Sequence, residues 1–233
     1  MWAPVLPALA RERDAIAVDL PGFGGSAPLD GAPTPERLAG AVAELLDELG
    51  LETAHVAGNS LDGGVALELG RTGRARSVTC LSPIGFWTPR EQSYGNLLLA
   101  WSRWSARAAA PVAPALAGNV VTRTLAGALM TARPWRIPPD EALGGTRNLA
   151  QSPGFEATLA ALQGWRPRGL GEIACPVTIA WAQYDLLLIP RQGRRARRAL
   201  PAARHVTLAG CGHVPTWDDP DQVARVLLEG SAA

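Results

Sequence analysis

Residues 56–64 read Val56-Ala57-Gly58-Asn59-Ser60-Leu61-Asp62-Gly63-Gly64. The apolar run before Gly58 indicates a strand, and the run Val65–Leu69 has the composition of a helix. A serine on the sharp turn between them would hold its hydroxyl clear of the backbone, and small neighbours would let the strand and helix approach. The first N–H groups of the helix would favour an oxyanion at the same place. The stretch therefore predicts a nucleophile elbow.

One residue departs from that motif. The pattern G-x-S-x-G needs a glycine two residues after the serine, but Asp62 stands there and Gly63 comes one place late. The alternative interpretation is an ordinary strand–loop–helix junction in which the serine caps the helix. The motif alone leaves both interpretations open.

Length, charge and cysteine content limit the function classes. A chain of 233 residues can bury one sizeable core with an inserted subdomain. The net charge of +1 predicts neither a nucleic-acid nor a membrane partner. The cysteines are odd in number and lack metal spacing, and Met1 is not followed by a signal-peptide pattern, so we expect a cytoplasmic protein without metal or cofactor. Arginines interrupt the apolar region 97–130, which excludes a membrane span.

Strand-like and helix-like segments alternate along most of the chain, which predicts an α/β fold with a mostly parallel sheet. The predicted strands are Ala15–Val18, His55–Ala57, Ser77–Leu81, Val177–Trp181 and His205–Leu208. The predicted helices are 35–49, one directly after Ser60, Arg191–Leu200 and one from Pro220, with at most a short helix within 4–11.

The alternation stops in residues 87–168, where no strand pattern is convincing. We expect an inserted helical cap there, because the segment is too long for a simple loop. The core would then consist of residues 1–86 and 169–233. The expected cap helices are 91–109, 112–132, 140–148 and 155–163, and the tryptophans expected in its core are Trp101, Trp104, Trp135 and Trp165.

Three residues with complementary chemistry stand at strand ends. Ser60, Asp185 and His213 each follow a predicted strand, and the carboxyl ends of parallel strands meet at one edge of a sheet. A histidine could take the serine proton, and an aspartate could orient the imidazole. The sequence therefore predicts a Ser-His-Asp catalytic triad.

Several other reactive residues are given structural roles. His55 and His205 open strands, Asp19 is expected to cap a loop, and Cys211 is expected to be a packed thiol. The arginine run on the predicted helix 191–200 is expected to form a solvated face.

With these motifs, the chain resembles the cap-bearing α/β-hydrolases, a family of esterases and C–C bond hydrolases. The matching segments are Asp19-Leu20-Pro21-Gly22-Phe23-Gly24-Gly25-Ser26, Gly58-Asn59-Ser60-Leu61, Asp185 with Pro190, and Gly212-His213-Val214-Pro215 with Trp217, Asp219 and Pro220. The resemblance implies that Ser60 is the nucleophile, His213 the base and Asp185 the acid. It also implies that residues 87–168 form a lid, and a serine at position 60 argues against dehalogenases and epoxide hydrolases.

The resemblance also implies strands that this sequence lacks. Members of the family begin with a strand hairpin and a third strand, whose following loop supplies an oxyanion donor. Family topology puts that third strand between Ala15–Val18 and the Val56 strand, so its absence predicts a gap of about 10 Å or a collapse of the two strands together. We therefore expect Met1 to be a misassigned start or a truncation, with a genuinely shortened fold as the alternative.

The leading hypothesis is a serine hydrolase acting on a small, largely apolar ester or C–C bonded ketone. Leu61 would supply one oxyanion donor, and the predicted pocket residues are Asn59, Trp87 and Tyr184. The alternative is a catalytically impaired or truncated homologue that acts as a binding module or is a gene remnant. The sequence predicts no oligomeric state.

Overall fold

A four-stranded parallel sheet forms the centre of the molecule. The structure is a computed structural model that describes residues 1–232. Within this range the strands are β1 (Ala54–Asn59), β2 (Ala75–Leu81), β3 (Val177–Ala182) and β4 (Arg204–Leu208), in the spatial order β1-β2-β3-β4. All three strand pairs are parallel, which confirms the predicted α/β fold.

Helices surround the sheet and fill the long insertion between β2 and β3. The α-helices are α1 (Leu6–Leu9), α2 (Pro35–Glu48), α3 (Leu61–Arg71), α4 (Pro89–Ala108), α5 (Ala113–Gly118), α6 (Val120–Gly127), α7 (Pro139–Gln151), α8 (Phe155–Ala161), α9 (Arg191–Ala199), α10 (Pro215–Asp218) and α11 (Pro220–Gly230). Short 3₁₀ turns lie at Ala110–Val112, Pro134–Arg136 and Leu170–Glu172. We call residues 87–168 the helical insert.

The sheet separates two apolar clusters because successive strand residues point to opposite faces. Cys80 and Ile179 lie in the larger cluster, which packs against α2 and α3, whereas Leu81 and Ala180 lie in a smaller cluster with α11. Both faces of the central strands are therefore covered by helices, as expected for a parallel sheet.

The strand predicted at Ala15–Val18 is wrong. Residues 14–20 have no regular secondary structure, and residues 14–18 make no backbone hydrogen bond within the described chain. Ile16 and Val18 are 54% and 39% exposed. A strand forms only where a neighbour can accept its backbone hydrogen bonds, and β1 pairs with β2 alone.

An open groove of about 430 Å³ separates this segment from β1. Its walls include Ile16, Val18, Val56 and Val65, and Asp62 projects into it beside the elbow. The two segments therefore stay apart rather than pairing with each other, and the free edge of β1 faces the groove.

Two expectations for the helical insert are also wrong. The helix expected over 112–132 is divided into α5 and α6, because the Asn119 side chain accepts hydrogen bonds from Val121 N and Thr122 N and starts a new helix. Three of the tryptophans expected in the core lie on the surface instead: Trp101, Trp104 and Trp135 are 60%, 67% and 52% exposed. Trp165 is half-buried, and its Nε1 donates to Glu36.

The arginine run on α9 is only partly a solvated face. Arg194, Arg197 and Arg198 are exposed, as expected. Arg195 instead donates to the carbonyl of Phe86 and to the carboxylate of Glu91 at the start of α4. It therefore joins α9 to the helical insert, a contact that the charge pattern could not predict.

Candidate active site

Ser60 stands on a strained turn between β1 and α3. Its φ of 59° and ψ of −114° lie outside the regions that most side chains adopt. The turn is held by hydrogen bonds from Ser60 N to the carbonyl of Leu81 (2.9 Å) and from Ile84 N to the carbonyl of Ser60 (3.1 Å). A Cβ atom at Gly58 would come within 2.1 Å of the Asp62 backbone, so glycine is required where β1 meets α3.

Packing explains why the glycine of the motif stands at position 63, one place later than the pattern requires. A Cβ atom at Gly63 would lie 2.9 Å from Pro83 Cβ, so that side of α3 has no room for a side chain. Position 62 faces the groove instead, where the Asp62 carboxylate is accommodated. The groove beside β1 thus leaves room for a side chain at position 62, where the motif G-x-S-x-G has glycine.

Burial raises the pKa of Asp62 from its ordinary value of 3.8 to about 7. Asp19 raises it further, while the Met1 ammonium group acts in the opposite direction. The side chain remains partly exposed to the groove, so water moderates the effect of burial. A carboxyl group next to the elbow can therefore change its charge close to neutral pH.

His213 and Asp185 form a buried pair. Asp185 Oδ2 lies 2.8 Å from His213 Nδ1, and the two residues are 1% and 3% exposed, respectively. The other oxygen, Oδ1, accepts hydrogen bonds from Leu187 N (3.0 Å) and Leu188 N (2.7 Å). The carboxylate is thus fixed by its own loop and holds the imidazole through Nδ1, which leaves Nε2 available.

Asn59 joins the elbow to the histidine loop. Its Nδ2 donates to the carbonyl of Leu81 (2.9 Å) and to the carbonyl of His213 (3.0 Å). Because Asn59 directly precedes Ser60, these bonds bring the loop that carries His213 against the turn that carries the serine.

Asp218 is a residue of this region that the sequence reasoning missed. Its side chain is fully buried and accepts hydrogen bonds from Gly212 N (2.7 Å), Ala132 N (2.9 Å) and Arg133 N (2.6 Å). Val214 N also donates to the carbonyl of Met130 (2.7 Å). The histidine loop and the end of the helical insert are therefore held together by one carboxylate and one backbone bond.

The remaining predicted site residues differ in how exposed they are to solvent. Leu61 begins α3, and its N–H has no acceptor within the described residues. Trp87 is buried, with the Arg166 guanidinium 5.7 Å from its ring centroid. Tyr184 is 56% exposed, although it adjoins Asp185.

The residues expected to have structural roles make structural contacts or are buried. His55 Nδ1 is 2.8 Å from Ser77 Oγ, and His205 Nε2 is 2.8 Å from the carbonyl of Leu200. Asp19 Oδ2 accepts from Gly25 N (3.0 Å), which closes its loop. Cys211 is buried, and burial raises the pKa of its thiol to about 12.

Residues 1–232 contain neither a metal-binding cluster nor a membrane-spanning helix. No group of three or more histidine, cysteine, aspartate or glutamate side chains is arranged to hold a metal ion in this range. No helix among the described residues combines the length and apolar character needed to cross a membrane.

The parallel sheet, the strained turn and the buried His–Asp pair define a hydrolase-type site at the carboxyl edge of the strands. A family model described as alpha/beta hydrolase fold matches residues 1–220. The chain belongs to the α/β-hydrolase family.

Several known proteins similar to the chain carry hydrolase names. One is the epoxide hydrolase EphH of Mycobacterium tuberculosis, 32% identical over 209 residues, which are 82% of this chain and 91% of the relative. Among solved structures, a thermophilic esterase from Thermogutta terrifontis superposes with a TM-score of 0.74 at 20% identity, over 98% of this chain and 83% of that one. An enol-lactonase from Burkholderia xenovorans LB400 has a TM-score of 0.74 at 22% identity, over 100% of this chain and 86% of that one.

Proposed function

We propose that the protein is a serine hydrolase with Ser60 as nucleophile, His213 as general base and Asp185 as the residue that orients the histidine. The observation that carries this proposal is the buried contact of 2.8 Å between His213 Nδ1 and Asp185 Oδ2. A carboxylate already bonded to two backbone amides is a poor proton acceptor, so it stabilises an imidazolium rather than taking the proton itself.

The proposed reaction follows from that arrangement. His213 Nδ1 carries a proton and donates a hydrogen bond to Asp185, so the free lone pair of the imidazole lies on Nε2. This lone pair takes the Ser60 proton as Oγ attacks the substrate carbonyl. The imidazolium then protonates the leaving group, and an acyl-enzyme remains on Ser60. Water, deprotonated by the same histidine, releases the acid and restores the serine.

The N–H of Leu61 at the start of α3 is our candidate for one oxyanion donor. It has no acceptor among the described residues, and the positive end of the helix dipole lies at the same place. The strain at Ser60 supports this role, because it holds the side chain on the turn rather than over the helix.

We infer that the helical insert acts as a lid over the site and that its pocket takes a small, largely apolar ester or C–C bonded ketone. The hydrogen bonds of Asp218 support a fixed position of the insert beside His213. Buried Trp87 at its start offers an apolar wall. The three cysteines are all free, which supports a cytoplasmic location.

Epoxide opening is a second candidate, favoured by the name of the Mycobacterium tuberculosis relative. A serine at the elbow argues against it, because the related epoxide hydrolases use an aspartate there. An impaired homologue that only binds ligand is a third candidate, and Asp62 beside the elbow supports it, since an ionised carboxylate opposes an oxyanion.

Hydrolysis of p-nitrophenyl butyrate and of styrene oxide by the purified chain and by Ser60→Ala distinguishes these candidates. We expect ester turnover that falls at least 10³-fold in Ser60→Ala, because loss of a triad nucleophile leaves only the residual contribution of the site. Turnover of the epoxide alone would support the second candidate. Ligand binding without turnover in either protein would support the third.

A further inference from the structure

The outer face of α4 carries a stripe of large apolar side chains that no other part of the described chain covers. Tyr94, Leu97, Trp101 and Trp104 follow one another at steps of three and four residues, so they share one face of the helix. They are 44%, 69%, 60% and 67% exposed. The stripe spans about 15 Å, given a rise of 1.5 Å per residue.

The stripe is not needed to build the helical insert. The opposite face of α4 is the one that packs inward, through its buried residues Gln92, Gly95, Arg103 and Ala106. Arg103 donates to the carbonyls of Leu149 and Ser152 and to Glu156, which anchors α4 to α7 and α8. Exposed tryptophans aligned in this way are typical of a protein-binding or membrane-binding surface.

Cations lie at both ends of the stripe, and no free carboxylate lies beside it on α4. Arg90 precedes Tyr94 by four residues on the same face. Arg107 follows Trp104 by three, and it pairs with Glu156 of α8 (3.2 Å) and donates to the carbonyl of Ala150 (3.0 Å). Glu91 is the only carboxylate in α4, and Arg191 and Arg195 pair with it. Glu156 is shared by Arg103 and Arg107, so arginines still outnumber carboxylates on and beside α4.

The charge is divided unevenly over the whole molecule. The helical insert holds nine arginines against four carboxylates, a net charge of +5, while the rest of the chain holds 13 arginines against 17 carboxylates, a net charge of −4. The two net charges add up to the +1 of the whole chain. The prediction that the chain has no membrane partner uses that sum alone, which hides the positive charge of the helical insert.

We propose that the stripe docks on an anionic phospholipid bilayer, with α4 lying along the surface. Tryptophan and tyrosine place their apolar rings among the upper acyl chains while their polar atoms stay at the headgroups. Arg90, and Arg107 through the exposed half of its side chain, then face the lipid phosphates, which adds an electrostatic attraction that falls with salt. The arginines in α4 favour a helix that lies on the surface rather than one that crosses the bilayer.

A second copy of the chain fits the stripe less well. A twofold contact between two α4 helices running antiparallel would bring Arg90 of one copy against Arg107 of the other. Like charges at the two ends of such a contact oppose it. The lipid surface supplies the opposite charge at both ends.

The test is binding of the intact chain to 100-nm vesicles, measured by co-sedimentation and by tryptophan emission. Vesicles of equal parts phosphatidylcholine and phosphatidylglycerol are compared with vesicles of phosphatidylcholine alone. The test variant combines Leu97→Ser, Trp101→Ser and Trp104→Ser, and a second variant combines Arg90→Gln with Arg107→Gln. The matched control combines Leu49→Ser and Leu51→Ser, which change apolar residues of the hydrolase core that are 48% and 37% exposed.

We expect the intact chain and the control to bind the anionic vesicles at least tenfold more tightly than the neutral ones. The triple serine variant should lose at least tenfold in binding, and the arginine variant should lose most of the preference for anionic lipid. Equal binding by the triple variant and the intact chain would overturn the proposal, as would no binding to anionic vesicles at all. A dimer that forms in solution and disappears in the triple variant, without vesicle binding, would assign the stripe to a second copy instead. Vesicle binding does not depend on Ser60, so its failure would leave the proposed chemistry intact.

Discussion

The Nδ2 atom of Asn59 lies 3.0 Å from the carbonyl oxygen of His213, so the residue before the candidate nucleophile holds the backbone of the candidate base. The same amide nitrogen also donates to Leu81 at the end of β2. One buried side chain therefore fixes the elbow, the neighbouring strand and the histidine loop relative to one another.

Asn59→Ala should lower kcat more than tenfold while KM changes little. The substitution leaves the buried carbonyl of His213 without a donor, which costs about 1–3 kcal/mol, and it frees the loop of His213 to shift. The carbonyl of Leu81 keeps its hydrogen bond from Ser60 N. Steady-state kinetics with an ester and thermal unfolding measure the two effects. The control is Asn148→Ala, an exposed asparagine in the helical insert. Normal kcat in a folded Asn59→Ala protein would mean that the contact does not position the base.

Asp218→Asn should loosen the helical insert from the histidine loop. The side-chain carboxylate accepts three backbone N–H groups, and an amide in its place would set N–H against N–H at one of them. We expect a loss of about 2–4 kcal/mol in the free energy of unfolding, measured with urea, and faster proteolysis near residues 130–136. Asp221→Asn on the exposed start of α11 should change neither measurement. Equal stability of the two variants would refute the role given to Asp218.

Asp62 should make stability depend on pH. Its carboxyl ordinarily titrates at 3.8 and titrates at about 7 in the folded protein, so the folded state binds more protons between these values. The free energy of unfolding should therefore fall as the pH rises from about 4 to about 7 and then level off. Asp62→Asn should flatten that slope by an amount on the order of 1–3 kcal/mol over the interval. Urea unfolding at pH 5, 6, 7 and 8 measures it, with the exposed Asp140→Asn as control. Parallel pH profiles for the intact chain and Asp62→Asn would contradict the burial of this carboxyl.

Removing the Asp62 side chain should raise the rate of ester hydrolysis. Asp62→Gly restores the small residue of the motif and removes a negative charge beside the developing oxyanion, so ester hydrolysis should rise several-fold. The rise should be larger at pH 8 than at pH 6, because the carboxyl is mostly ionised only at the higher pH. Unchanged or lower activity in a folded variant would show that Asp62 does not oppose catalysis.

The free edge of β1 and the apolar groove should promote self-association on heating. Unpaired strand edges beside exposed apolar side chains are templates for pairing with other chains. Ile16→Lys places a charge at the rim of the groove and should reduce aggregation, measured by light scattering, with little change in unfolding temperature since Ile16 is 54% exposed. Val112→Lys, an equally exposed site in the helical insert, should leave aggregation unchanged. Equal aggregation of both variants would show that the groove plays no part.

Local signals predicted the features that the chain builds from neighbouring residues. The strand before Gly58, the helix after Ser60 and the helix over 35–49 each follow from a few adjacent residues. Residues Asp185 and His213 could be proposed because each follows a strand, and the parallel sheet brings them to one edge.

Features that depend on distant partners could not be predicted in this way. The apolar run at Ala15–Val18 has the composition of a strand but no neighbour in reach, and Trp101 and Trp104 have the composition of a core but face solvent. Asp218 looked like one of several acidic residues before α11, and only its tertiary contacts with Ala132 and Arg133 distinguish it.

We claim that His213 activates Ser60, and the intact mass of the protein after treatment with a fluorophosphonate probe tests this. We predict one adduct on the unmodified chain, none on Ser60→Ala, and strongly slowed labelling of His213→Asn. An unlabelled chain, or an adduct that persists in Ser60→Ala, would contradict the claim and leave the fold without the proposed serine chemistry.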